Sequence, residues 1–174
     1  SARVAMDYIR DVADLASKNK KMLSWDTQTG FPVVQDYPNL KLHRVGTHIN
    51  GNLIWPRCYE PDLTRVDSKR QRNGSSPNFI HSLDATNLSK TIHSCIKSDI
   101  KDFMVIHDQV GTHACNMEYL NKMLRETFVE MYSSRDVLEV LWDFAKTLDK
   151  DFPKPPTKGN LDLSEVLRSK YFFA

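Results

Sequence analysis

The stretch that decides the reading is Phe103-Met104-Val105-Ile106-His107-Asp108-Gln109-Val110-Gly111-Thr112-His113-Ala114. Its first four residues form a continuous apolar run, which reads as a buried strand. The run stops at His107-Asp108, and Val110 to Ala114 reads as a second strand pairing back. A carboxylate then stands at the tip of a hairpin, where a rigid element can aim it. There it can bind a hard cation such as Mg2+ through oxygen. It can equally be an ordinary turn aspartate bonding its own backbone. The residues alone leave both readings open, and Mg2+ needs further oxygen ligands than this stretch supplies.

On the N-terminal side, Leu88, Ile92, Cys95 and Ile96 recur at helical spacing and predict a helix over about 81–97. Pro77 is expected to begin that element. Residues 64–76, with Lys69, Arg70 and Arg72, read as a short helix and then a basic loop. Asp84 reads either as another acidic residue near the candidate chemistry or as a helix-start residue meeting free backbone N–H groups. Residues 40–59 read as a hairpin closed at Asn50-Gly51, the pair that supplies the positive φ values a tight turn needs. Further out, Met22–Trp25 and Phe31–Val34 flank the turn Thr27-Gln28-Thr29-Gly30, with Pro32 confining its strand to an edge. Ala2, Ala5, Met6, Ile9, Val12, Ala13 and Ala16 share one helical face. No capping residue precedes that helix, which suggests a chain cut from something longer.

On the C-terminal side, Met117, Leu120, Leu124, Phe128 and Met131 mark one helix, with Asn116 as its N-cap. Val137 to Leu148 mark another. Asp151 to Lys158 reads as a stiff proline-rich connector, and Asp162 with Glu165 as a capping box for a last short helix. Helices with antiparallel hairpins, rather than alternating strand–helix units, give an α+β class.

The chain has 174 residues, 40% hydrophobic and 26% charged, so wholesale disorder is not expected. The length suits one domain or a piece of a larger one. No apolar run approaches the roughly 20 residues that span a bilayer, so no membrane partner is expected. Cys58, Cys95 and Cys115 are far apart, which argues against a disulfide scaffold and a structural zinc site. The net charge is +2, but residues 37–81 hold seven Lys and Arg against three Asp and Glu. A basic segment in a near-neutral chain suggests a local contact with a polyanion.

Together, WDTQTGFPVVQDY (25–37), PNFIHSLD (77–84), IHDQVGTHA (106–114), KGNLDL (158–163) and the terminal YFFA resemble the C-terminal part of the single-subunit, bacteriophage-type RNA polymerases, in order and spacing. The resemblance implies the C-terminal palm and fingers portion of a right-hand polymerase. The whole chain is then one segment: a specificity-loop-like hairpin and basic loop at about 37–76, a helix plus catalytic palm hairpin at about 77–115, and C-terminal helices and tail at about 116–174. It implies that Asp108 is a catalytic ligand of two Mg2+ ions, shared with a carboxylate outside this chain. It also implies that His107 lies near the primer 3′ end, and that His81 neighbours the nucleotide and primer end and helps sense the ribose 2′-hydroxyl. Gln109 departs from the small residues frequent after the His-Asp pair.

In the resemblance the basic hairpin reads promoter DNA. Arg44 is the leading base reader, since Arg bridges guanine O6 and N7. Lys41, His43, His48, Asn50 and Arg57 are secondary, and Lys69, Arg70 and Arg72 are expected on phosphates. The aromatic C-terminus is expected to pack back near the active site. The implied partners are a larger N-terminal polymerase chain or segment, promoter and template DNA, nascent RNA and ribonucleoside triphosphates. This chain alone is expected to be inactive. The implied location is a host cytoplasm for a phage enzyme, or alternatively a mitochondrion or plastid. The competing readings are a palm piece of a related DNA polymerase and a non-catalytic nucleic-acid-binding module.

Overall fold

The computed structural model describes residues 2–172. The first helix, α1 (Ala2–Lys18), buries Tyr8, Ile9, Val12, Ala13 and Ala16, the stripe its sequence periodicity defines. A short hairpin follows, β1 (Ser24–Asp26) and β2 (Pro32–Val34), with Trp25 opposite Val33. Trp25 is buried, edge-on to Phe79 with ring centroids 5.4 Å apart, and its indole N–H donates to Ser82 at 3.0 Å.

Next comes a long ribbon. Strands β3 (Pro38–Arg44) and β6 (Arg57–Val66) pair antiparallel, and between them β4 (Thr47–Ile49) pairs with β5 (Asn52–Ile54). Asn50 (φ 51°) and Gly51 (φ 77°) form the tip, as the Asn-Gly pair predicts. The expected hairpin over 40–59 thus extends to 38–66.

The helix that follows departs most from expectation. It is a single element, α2 (Ser68–Lys97), of 30 residues. It begins at Asp67, whose side chain accepts from the Arg70 backbone N–H at 3.0 Å, and it runs through Pro77. The expected break at Pro77, the basic loop at 69–76 and the helix start near 81 are corrected accordingly. Proline in a helix deprives the carbonyl four residues back of its donor. That carbonyl belongs to Asn73, an exposed residue, so water can take the donor's place. The expected apolar stripe is only part of what α2 buries: Cys95 is fully buried, and Leu88 and Ile92 are half-buried. Ile96 is exposed, whereas Gln71, Ser75, Ser76, Phe79, Thr86, Asn87, Thr91 and Cys95 are buried. This face is mostly polar because its partners supply hydrogen bonds. Gln71 accepts from Leu23 N–H at 2.9 Å and donates to Ser17 Oγ at 2.8 Å.

After α2, β7 (Met104–Ile106) pairs with β8 (Gln109–Gly111). The second strand is shorter than the expected run to Ala114, and residues Ala114–Asn116 form a 3-10 turn. The expectation of a buried first strand fails: Met104, Val105 and Ile106 are 65%, 48% and 53% exposed. Among the described residues the hairpin pairs only with itself, and it meets the rest of the chain through Phe103 and Val110, which pack against Cys95, Ile100 and Leu120.

Helix α3 (Met117–Ser134) packs on α2, and α4 (Glu139–Lys146) packs on α1 and β1. Asn116 makes no capping side-chain bond, contrary to expectation. Residues Leu163–Leu167 form a 3-10 turn capped by Asp162, which accepts from Ser164 N–H. One core joins α1, β1, α2 and α4 through Ile9, Val12, Leu23, Trp25, Phe79 and Leu141. A smaller one joins Cys95, Ile100 and Leu120. The result is mixed helices and two-stranded antiparallel pairs, in agreement with an α+β class.

Candidate active site

His107 and Asp108 form the two-residue loop between β7 and β8, clamped by the direct pairing of Ile106 with Gln109. His107 has φ 55°, in the left-handed region. Residues other than glycine pay for that backbone, and such strain concentrates at functional sites.

On α2, His81, Asp84, Ala85 and Leu88 recur at i, i+3, i+4 and i+7, which stacks them on one face. With Asn87 beside them, they form one wall of a cleft of about 610 Å³. Leu124 of α3 and the His107-Asp108 tip complete it. Three residues named from sequence (His81, His107 and Asp108) therefore meet in one cavity, although 26 positions separate the first from the second. Asp84 joins them. It lies well inside α2 and cannot serve as a helix-start residue.

The cleft lining carries two carboxylates, two imidazoles and neither Lys nor Arg. Among the described residues Asp84 has no ion pair or hydrogen bond. Its charge nevertheless reaches Tyr132, whose hydroxyl pKa is raised first by burial and then by Asp84. Among the described residues no group of three or more His, Cys, Asp and Glu could hold a metal ion. The donor set therefore fits a cation only as a shared ligand, with Asp108, exposed on a rigid tip, as the natural contributor.

Sequence reasoning missed what lies behind the wall. Asn87, Thr91 and Thr127 form a buried polar ladder between α2 and α3. The Thr91 and Thr127 hydroxyls are 2.7 Å apart, and Thr127 donates to Asn87 Oδ1 at 3.1 Å. Hydrophobic periodicity carries no signal for such a contact. It also missed Arg125, buried on α3, which donates to the Val166 and Ser169 carbonyls at 2.7 and 2.6 Å. Its guanidinium lies 5.4 Å from the centre of the Phe172 ring, and Phe172 packs on Phe128, one turn along α3 from the cleft residue Leu124. Phe173 and Ala174 of the expected aromatic end lie outside the described residues.

The ribbon has two different faces, because cross-strand partners share a face and faces alternate along a strand. One face pairs Leu40 with Pro61, Leu42 with Tyr59 and Arg44 with Arg57. The other pairs Lys41 with Glu60 and His43 with Cys58. On that second face each basic side chain meets an acid. Lys41 Nζ lies 3.3 Å from Asp62, and His43 Nε2 lies 3.0 Å from Glu60. Hydrogen bonds from the Thr64 hydroxyl and amide hold the Asp62 carboxyl below its ordinary pKa, with Lys41 adding to them. Arg44 and Arg57 have no acidic partner among the described residues. Two like charges directly opposite each other are unfavourable in a ladder.

His48 sits opposite Leu53 near the ribbon tip, and Asn50 is at the tip itself. Lys69, Arg70 and Arg72 begin α2 instead of forming a loop. Arg70 pairs with Asp67 at 3.6 Å, and Arg72 pairs with Asp14.

A family model described as DNA-dependent RNA polymerase matches residues 1–150. The chain is similar to a mitochondrial DNA-directed RNA polymerase 1B of Nicotiana tabacum, 38% identical over 174 residues, covering 99% of this chain and 17% of that protein. It is 36% identical over 174 residues to the chloroplastic/mitochondrial DNA-directed RNA polymerase 2 of Arabidopsis thaliana, covering 99% and 17%. It is 34% identical over 175 residues to DNA-directed RNA polymerase 2A of Nicotiana tabacum, covering 99% and 51%. The chain thus spans about a sixth to a half of the length of these curated relatives.

Proposed function

This chain belongs to the DNA-dependent RNA polymerase family, of the single-subunit, phage-type kind, and we propose that it supplies the C-terminal catalytic portion of such an enzyme. The reaction is attack of an RNA 3′-hydroxyl on the α-phosphorus of a ribonucleoside triphosphate. A P–O bond to the RNA forms, the bond to the β-phosphate oxygen breaks, and pyrophosphate leaves. The observation that carries this reading is the convergence of His81, His107 and Asp108 on one open cleft.

Asp108 would hold Mg2+ together with a carboxylate outside this chain. Magnesium, when bound, lowers the hydroxyl's pKa and neutralises triphosphate charge. The hairpin holds Asp108 at a fixed point, so little reorganisation remains for the chemical step. His107 is held beside the primer end by its constrained backbone. His81, on the opposite wall, neighbours the terminal sugar.

The bare apolar strand β7 fits a palm hairpin that a larger polymerase segment covers, and this chain alone is inactive in this reading. The Arg44–Arg57 face of the ribbon contacts promoter DNA, while Lys41 and His43, held by Asp62 and Glu60, contribute less. Relatives named mitochondrial or chloroplastic favour an organelle over a phage-infected cytoplasm as the site of action.

The test is Asp108→Asn in the assembled polymerase. Turnover is expected to fall by several orders of magnitude with promoter binding kept. A variant holding about a tenth of the rate, a barrier change of only ~1.4 kcal/mol, removes Asp108 from the catalytic role.

A further inference from the structure

Trp55 is 60% exposed, and it stands where the ribbon's register runs from the Arg44–Arg57 pair to the Thr47–Ile54 pair. Continuing that register puts Gly46 opposite Trp55, two positions beyond the arginines and by alternation on their face. A Cβ added to Gly46 would lie 3.1, 3.2 and 3.3 Å from Cη2, Cζ3 and Cζ2 of the indole. Cη2 sits between the other two in the ring, and an edge-on ring would leave those two much farther away than Cη2. The ring therefore lies flat over Gly46, which has no side chain to hold it off. An aromatic ring laid across a glycine fills a gap in the sheet surface, and it also fixes the tilt of the ring. With one ring face on the backbone, the exposure of Trp55 belongs to the other face.

The surroundings of the ring are cationic. Residues 44–57 hold two Arg and one His and neither Asp nor Glu. The acids that meet Lys41 and His43 lie nearer the base of the ribbon, at Asp62 and Glu60. A pre-set aromatic face beside cations is the arrangement that holds a nucleobase, the ring stacking on the base while the cations attract the strand's phosphates. A paired base within a duplex offers a groove its edges alone, because its faces are covered by its neighbours. A ring lying flat on the ribbon thus finds no stacking partner in a closed groove, whereas an unpaired base presents a face to it.

We propose that Trp55 is a stacking platform for an unpaired DNA base of the opened promoter, flanked by Arg44 and Arg57. The ribbon then has two contacts with different timing: groove contacts to closed DNA, and a stacking contact that forms once the strands part. Stacking tolerates any base, so Trp55 rewards the open state more than it reads sequence. The inference rests on the polymerase reading above, since templated synthesis must expose unpaired bases. A base of the transcript offers the same kind of face, and the promoter-facing place of the ribbon in that reading favours DNA.

The test uses the assembled polymerase and two labelled promoter fragments without RNA or nucleotides, one fully paired and one held open at the start site by mismatches in one strand. Trp55→Leu keeps an apolar cover on Gly46 and removes the aromatic face. It is expected to weaken binding to the open fragment roughly tenfold, as for one base stacked on an aromatic ring, and binding to the paired fragment severalfold less. Trp55→Phe is expected to keep most of the affinity. An abasic site at the stacked position is expected to cost wild type the same factor and to cost Trp55→Leu nothing further. Equal losses on both fragments, or abasic losses that persist undiminished in Trp55→Leu, overturn the platform, make Trp55 a prop for Gly46 and leave the polymerase reading standing. A loss that arises only once a transcript is present moves the ring to an RNA base and overturns the DNA assignment. A wild-type assembly that makes no RNA on the open fragment when nucleotides are added overturns the polymerase reading, and the platform with it.

Discussion

Gln71→Leu isolates the polar locking of α2. Gln71 is fully buried, and leucine nearly matches its volume, so the substitution opens no large cavity. What it removes is a set of hydrogen bonds. Oε1 accepts from the Leu23 amide at 2.9 Å, and Nε2 donates to Ser17 Oγ at 2.8 Å, Ala13 O at 3.2 Å and Lys21 O at 3.3 Å. Two amide protons serve these three acceptors, so one of the contacts is shared. In the variant the Ala13 carbonyl still accepts from Ser17, and Lys21 is exposed, so water serves its carbonyl. The Leu23 N–H is different, since Leu23 is itself fully buried. An unmet buried amide costs about 1–3 kcal/mol, and the lost Ser17 bond adds about 1 kcal/mol. The sum of about 2–4 kcal/mol lowers Tm by roughly 5–15 °C for a chain of this size. Urea and thermal unfolding followed by helical ellipticity measure it. A midpoint indistinguishable from wild type refutes the claim that hydrogen bonds, rather than apolar packing, fix this end of α2.

Other outcomes follow from the same geometry. Gly74→Ala should destabilise despite a helix-propensity gain of about 1 kcal/mol, because the new Cβ would lie 2.7 Å from the Tyr37 hydroxyl. Tyr37→Phe should recover part of the loss in a double-mutant cycle, and a raised Tm for Gly74→Ala alone refutes the contact. Arg44→Ala should cost about 1–3 kcal/mol at one promoter position and relax preference there, whereas Lys41→Ala should change specificity little. An equal loss for Arg44→Ala on every sequence makes it a phosphate contact. Asp62 has a depressed folded pKa, so its stabilisation of the ribbon is complete above its ordinary value of 3.8 and disappears as pH falls through the lower folded value. Trp55 fluorescence through an acid titration should show this step in wild type and lack it in Asp62→Asn. A step of the same size in both proteins assigns it to another group.

Local chemistry fixed the turns. Asn50-Gly51 needs positive φ at both positions and obtains it, Thr27–Gly30 closes β1 on β2, and His107-Asp108 forms the tip that the end of an apolar run foretold. These features depend on neighbours in sequence, so they could be read there, and the ordered blocks around them carried the family. The helix α2 and its burial could not be read in the same way. Pro77 and a polar run argued for a break, but a helix is retained when tertiary partners satisfy its polar groups, and those partners come from α1, the 21–23 segment and α3. Asn87 was illegible for the same reason, since its value lies in Thr127, forty positions away. The exposure of β7 was also decided by tertiary structure. An apolar strand is buried only if something packs on it, and among the described residues the core contacts go to Phe103 and Val110 while Met104, Val105 and Ile106 stay exposed. Sequence determined which residues could do the chemistry. The packing of α2 against α3 and the placement of the hairpin beside them determined which of those residues face one another, because distance in space is set by long-range contacts that no local pattern encodes.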